Sequence, residues 1–247
     1  MAIFERDGIS LYYEEHGSGY PVLLLAPGGV RSSVGFWKIT PGGEKNPLDP
    51  TVELAGDFRL IAMDQRNAGK SRAPVSASDG WHTYAADQLA LLDHLGIARC
   101  HILGQCIGCS FCLELIKAAP NRISAAVLAQ PIGLSPENRQ GFRGGFDQWA
   151  KSLKQERPEL DERAFEKYRE NLFGGDFVFN VSPDFVKTVT TPLLLLHGND
   201  APHPRPISEQ IAKLAPNIEA VENWKTPDVA PAAIARIREF LKKHQPR

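Results

Sequence analysis

The chain has 247 residues and a formal net charge of −1. That length suits one large α/β domain, and the near-neutral charge argues against a nucleic-acid partner or an anionic membrane surface. The opening Met1-Ala-Ile-Phe-Glu-Arg6 lacks a charged-then-apolar leader, and no apolar run reaches the ~18 residues of a membrane span, so the expected location is the cytoplasm.

In chain order, residues 9–15 alternate as a strand and His16-Gly-Ser-Gly19 turns it. Residues 21–26 are a continuous apolar run, the mark of a strand buried on both faces. Pro27-Gly-Gly29 follows, then Trp37 and an irregular Pro- and Gly-rich stretch over 41–50. Asp49-Pro50 can cap a short helix ending at Gly56. Residues 58–63 are a second buried strand, running into the polar turn Asp64-Gln-Arg-Asn-Ala-Gly-Lys-Ser71. Over 79–96, Ala85, Leu89, Leu92 and Leu95 form one helical face, with Gly96 as its stop. Residues 123–129 and 192–196 are further apolar strands. Between them the segment is charged and aromatic, with Phe165, Tyr168 and Leu172 on one helical face, so a mostly helical insertion is expected over 132–190. Ile207, Ile211 and Leu214 line a helix, 218–221 a strand, and Ala230, Ile234, Ile237 and Leu241 a closing helix. Strand and helix alternate from residue 58 onward. This predicts a mostly parallel central sheet flanked by helices, with reactive groups at the C-terminal ends of its strands.

The chemistry concentrates at His101-Ile-Leu-Gly-Gln-Cys-Ile-Gly-Cys-Ser110. An apolar strand turns sharply through Cys106 into a helix, with Gly104 and Gly108 two positions to either side. Such a turn strains its central residue and leaves no room for side chains at those two places. It would hold the Cys106 sulfur at the sheet edge above a helix N-terminus, where a thiol pKa falls. The four cysteines, Cys100, Cys106, Cys109 and Cys112, lie within thirteen positions, a poor layout for disulfides. Their C-x2-C-x2-C spacing invites a metal reading, but no second ligand cluster accompanies it; Cys109 and Cys112 read as small apolar filler, and no metal is expected.

Five features together resemble the α/β-hydrolase fold superfamily. They are Pro27-Gly-Gly29, Asp64-Gln-Arg-x-x-Gly69-x-Ser71, Gly104-x-Cys106-x-Gly108, Leu196-His-Gly-Asn-Asp200, and the segment near 131–190 where the family carries a lid. The resemblance implies a hydrolase core over 1–131 and 191–247 and a helical cap over 132–190, inserted after the sixth strand. It makes Cys106 the nucleophile, as in the dienelactone-type members that use cysteine. The N–H of Ile107 becomes one oxyanion donor and that of Gly29 or Val30 the other. Asp200 takes the place of the triad acid, two residues past Gly198 where three is usual; a turn-former ahead of Pro202 is its other reading. The family histidine would fall near 223–228, where this chain has Asn223-Trp-Lys-Thr-Pro-Asp228. Of the histidines present, only His203 lies in a loop at the correct sheet edge, and a Cys106–His203 pair is the candidate dyad. Lys225 fills the usual histidine slot. Trp37, Phe146, Trp149, Phe173, Trp224 and Lys225 are the candidate pocket residues, with ordinary core as the alternative for the aromatic ones.

The function expected from this set is hydrolysis of a small, rather apolar ester, lactone or thioester through a Cys106 acyl-enzyme, without a cofactor. The missing histidine motivates two alternatives: a degenerate member that binds a small ligand, and lyase, isomerase or oxygenase chemistry in the same pocket. In each case the partner is a small molecule, not nucleic acid or membrane, and a homodimer stays open.

Overall fold

The structure, a computed structural model, describes residues 2–246. Eight strands form one sheet: β1 (Ala2–Arg6), β2 (Ile9–His16), β3 (Tyr20–Leu25), β4 (Phe58–Met63), β5 (Cys100–Gln105), β6 (Ile123–Ala129), β7 (Leu193–Leu196) and β8 (Ile218–Val221). Their spatial order is β1-β2-β4-β3-β5-β6-β7-β8. β1 and β2 pair antiparallel, as do β2 and β4, and every later pairing is parallel. β1 gives no signal in the sequence. It is short, almost wholly exposed, and held by its register against β2, where Ala2 faces Tyr13.

The apolar runs follow from burial on both faces. In β3, Leu23 and Leu25 belong to one core and Val22 and Leu24 to the other; β7 divides the same way, Leu193 and Leu195 against Leu194 and Leu196. The first core is covered by α2 (Trp81–His94) and α3 (Ile107–Ala118). The second is covered by α8 (Ala230–Lys243), through Ile237, Phe240 and Leu241. α1 (Pro50–Glu53) is capped by Asp49, whose carboxylate accepts from the Thr51 N–H. Between β6 and β7 lie α4 (Arg139–Glu156), α5 (Glu162–Phe173) and α6 (Pro183–Thr188), and α7 (Arg205–Leu214) follows β7. Phe165, Tyr168 and Leu172 on α5 are buried, as their spacing predicts. Polar ends tie this segment down: Trp81 Nε1 donates to Leu172 O at 3.0 Å, Trp149 Nε1 to Asn67 O at 3.1 Å, and the Tyr168 hydroxyl to that of Tyr84 at 2.7 Å.

The 64–71 loop braces the turn after β3. Asp64 accepts from the N–H of Val34 at 2.7 Å and of Lys70 at 2.8 Å, and the Gln65 N–H donates to Ser32 O. Gly69, at φ 53°, lets the loop close on the Asp64 carboxylate; a Cβ there would lie 2.2 Å from Asp64 Oδ2. Behind the loop, buried Arg66 donates to both oxygens of Asp87 and to Asp79. Removing one partner of such a buried group strands the others without compensation. Arg66→Ala is therefore expected to cost about 3–5 kcal/mol, measured by urea unfolding.

Candidate active site

The elbow forms as its glycines require. β5 ends at Gln105, α3 begins at Ile107, and Cys106 between them sits at φ 60°, ψ −120°. That conformation is strained for a residue with a Cβ and persists only when its surroundings fix it. The surroundings do so: a Cβ on Gly104 would lie 2.2 Å from Gly108 O, and one on Gly108 only 1.9 Å from Leu25 O. The Cys106 N–H donates to Ala129 O at 3.0 Å, which ties the turn to β6. Gly108→Ala is expected to destabilise the fold by about 3 kcal/mol, read as a lowered unfolding midpoint, because α3 must move away from β3.

The loop after β7 brings the other groups in. Past Leu196 the chain folds back, with Asp200 N–H donating to His203 O and His203 N–H to Asp200 O. Gly198 makes room for the return, since a Cβ there would lie 2.5 Å from His203 O. Asp200 Oδ1 accepts both from the His203 N–H at 3.1 Å and from the imidazole through Nδ1. Asp200 Oδ2 accepts from Lys225 Nζ at 3.0 Å. Lys225, expected in the family histidine's slot, faces the carboxylate and lies outside the cavity that holds the thiol. The His203 imidazole, 8% exposed as a residue, leaves Nε2 without a formed hydrogen bond on the Cys106 side.

Charge explains the poise of these three groups. Burial alone pushes the Cys106 thiol up, but the His203 charge beside it, helped by the backbone N–H groups of Gly28 and Ile107, holds it below the usual thiol value. Burial would depress the imidazole. Instead the Cys106 thiolate and Asp200 carry it up to about 9. Burial of Asp200 is likewise outweighed by His203 and Lys225, so its carboxyl lies well below the ordinary range. Thiolate character at Cys106, a proton on His203 and an ionised Asp200 thus each favour the other two. Catalytic hydrogen bonds are often long in free enzymes and tighten with substrate, so a Cys106–His203 contact made chiefly by charge is an ordinary ground state.

Cys106 and His203 share a cavity of about 500 Å³ with Gly28, Gly29, Val30, Phe142, Phe146 and Phe173. Gly28 and Gly29 have φ of 119° and 61°, the left-handed region that opens the backbone toward the sulfur. The Gly28 N–H reaches the Cys106 sulfur, and Gly29 and Val30, the residues expected to supply an oxyanion N–H, line the same wall. Phe146 and Phe173 stand in the lining as expected; the other three aromatics do not. Trp37 is wholly buried in the second core because the 3-10 turn Val34–Trp37 drives it under the sheet. Trp149 is spent packing on Phe165 and bonding Asn67. Trp224 turns away to donate to His197 O. The sequence reading missed Phe142, although it lies four residues before Phe146 on the same helical face. It also missed Gln105 and Gln130, which give no signal of their own. Gln105 pairs with Asn46 in both directions, at 2.9 and 3.2 Å; Gln105 lines both the thiol cavity and a second one of about 630 Å³, and Asn46 lines the second.

The remaining histidines have other work. His101 is fully buried against Tyr20, which lowers its pKa to about 4, and His94 stacks on Phe4. The four cysteines are unpaired, and among the described residues no three His, Cys, Asp or Glu side chains are grouped to hold a metal ion. Cys109 Sγ lies against the carbonyls of Gly104 and Ala129, and burial raises its pKa and that of Cys112. No helix among the described residues is long and apolar enough to cross a membrane.

Comparison with known proteins agrees with the architecture. The chain is 31% identical over 118 residues to a Variovorax paradoxus protein named "Putative carbamate hydrolase RutD", a match covering 48% of this chain and 41% of that one. It is 30% identical over 156 residues to "Putative non-heme bromoperoxidase BpoC" of Mycobacterium tuberculosis, covering 63% and 55%. In both cases the match spans less than two thirds of the relative's own length. The solved enol-lactonase of Burkholderia xenovorans superposes with a TM-score of 0.71 at 18% identity, over 98% of this chain and all of that one. At that identity the likeness is one of fold. A family model of the α/β-hydrolase fold matches residues 21–191, more than half of the chain. The chain belongs to the α/β-hydrolase fold family.

Proposed function

We propose that the chain is a hydrolase of small, rather apolar esters, lactones or thioesters that works through a Cys106 thioester intermediate. The observation that carries this reading is the Cys106–His203–Asp200 set, with the His203 imidazole bonded to Asp200 and all three side chains lining one cavity. The Cys106 thiolate attacks the substrate carbonyl carbon. The resulting oxyanion is held by the Ile107 N–H and an N–H of the 28–30 loop. As the carbon–oxygen or carbon–sulfur bond breaks, His203 gives its Nε2 proton to the leaving group. The now neutral His203 takes a proton from water, which attacks the thioester; the acid leaves and the thiolate–imidazolium pair is restored. Asp200 keeps the imidazole's Nδ1 side engaged, and Lys225 fixes the carboxylate from behind.

Residues 1–131 and 191–247 form the catalytic core in this reading, and 132–190 a helical cap. Phe142, Phe146 and Phe173 from that segment face the thiol cavity, supplying an apolar cover for the acyl group. The names of the relatives, a carbamate hydrolase and an enol-lactonase among them, are compatible with acyl transfer.

The test is acyl trapping. Short nitrophenyl esters, quenched in acid within the first turnovers, should leave one acyl group on Cys106 by mass spectrometry, with none on Cys106→Ala. Turnover with no adduct, or equal turnover in Cys106→Ala, would remove the thioester. Binding without turnover across pH 6–9 would favour the ligand-binding alternative.

A further inference from the structure

The charges around the thiol cavity do not all belong to the proposed acyl-transfer machinery. Asp200 is already engaged by His203 and by Lys225, and His203 faces Cys106. Much of the remaining wall is apolar, with Phe142, Phe146 and Phe173 opposite the 28–30 loop. One further charged residue lines the cavity, Arg31. It closes the 3-10 turn Gly29–Arg31 and is exposed. Among the described residues no acidic side chain pairs with it, although most arginines of this chain are paired. A cation on the rim of a small apolar cavity, left without an acidic partner and directly after the 28–30 loop, adds a positive field there.

We propose that Arg31 is an anion-binding residue, and that the preferred substrates carry a second, free carboxylate: half-esters or lactones of short dicarboxylic acids. This rests on the thioester reading above and narrows its substrate class. The reacting carbonyl lies at Cys106, an apolar spacer lies along Phe142 and Phe146, and the carboxylate reaches the Arg31 guanidinium, whose fork matches it with two parallel hydrogen bonds. Cavity volume agrees, since about 500 Å³ holds a spacer of a few methylenes plus both end groups.

The experiment compares monomethyl glutarate with dimethyl glutarate, of equal chain length and differing by one charge. For the wild type, kcat/KM should favour the half-ester by about tenfold, the low end for a charge-assisted pair because Arg31 is solvated. Added salt should erode that preference. In Arg31→Gln the ratio should fall to near one. A ratio that stays at its wild-type value, even if both rates drop, overturns the assignment and leaves Arg31 a structural role. If the wild type hydrolyses neither ester, the thioester reading fails separately. Monomethyl glutarate binding to Cys106→Ala by calorimetry then decides the anion site. Roughly tenfold weaker binding on adding Arg31→Gln supports it, and unchanged or absent binding overturns it.

Discussion

His203→Ala is expected to lower ester turnover by about 10²–10⁴-fold, the usual contribution of a positioned acid–base. It should also slow alkylation of Cys106 by iodoacetamide at pH 7 by tenfold or more. Two separate consequences of one side chain are involved. The imidazolium beside the sulfur is the leading influence that lowers the thiol pKa, against burial that raises it. Without the imidazolium, burial prevails and the thiolate becomes scarce. Acyl transfer would then lose its nucleophile, and deacylation its base. Equal alkylation rates in wild type and His203→Ala would remove His203 as the activator.

The pH dependence has a definite sign. The thiol is lowered from its ordinary value of 9.0 and the imidazole is raised to about 9. As pH rises, the thiolate appears first, at the lowered value, and the imidazolium is lost only near 9. The ion pair is populated between the two. Alkylation should therefore rise to its plateau at a lower pH in the wild type than in His203→Ala. Below the lowered pKa it should fall about tenfold per pH unit as the sulfur takes up its proton. Because the two groups titrate as a coupled pair, the profile reports the pair and not either residue alone.

Much of this was legible in the sequence, for a physical reason. A strand buried on both faces has to be an unbroken apolar run, and Pro21–Ala26 and Ile123–Ala129 advertise themselves that way. The elbow is as plain, because Gly104 and Gly108 are positions where a Cβ would meet backbone within about 2 Å. His203 was reachable by elimination, since topology puts only the strand C-termini at the reactive edge. What was not legible depends on the path of the chain between elements. Trp37 and Phe146 are equally apolar in sequence, yet one turn places Trp37 under the sheet while α4 carries Phe146 over the thiol. Nor does any pattern foretell that Asp200 divides its two oxygens between His203 and Lys225, because that pairing joins residues 25 apart across two loops.

Cys106→Ser is expected to keep the fold and lose at least about a hundredfold in turnover, and this separates a thiolate enzyme from a serine enzyme with an altered base. The elbow accepts serine sterically: the two side chains differ by one atom, and the φ 60° strain is borne by Gly104, Gly108 and the bond to Ala129 O, none of which the change touches. An unfolding midpoint within about 1 kcal/mol of wild type should confirm that. The chemistry is less forgiving. A hydroxyl does not ionise beside an imidazolium, so the pair that sets His203 near 9 disappears, and the imidazole no longer benefits from the thiolate charge. The serine must then be deprotonated by His203 during attack. That requires a short, aligned Oγ–Nε2 hydrogen bond, and the shorter C–O bond of serine draws the oxygen back from His203 relative to the sulfur. A thiolate tolerates that gap because it already carries its charge; a hydroxyl does not. Burst kinetics with a nitrophenyl ester supply the measurement. The serine variant should show a slowed acylation phase, and any intermediate it forms is an oxygen ester whose departing alkoxide needs a proton from His203. A serine variant that acylates as fast as wild type would show that the pre-formed ion pair is not what drives the first step, and that His203 acts as a conventional base.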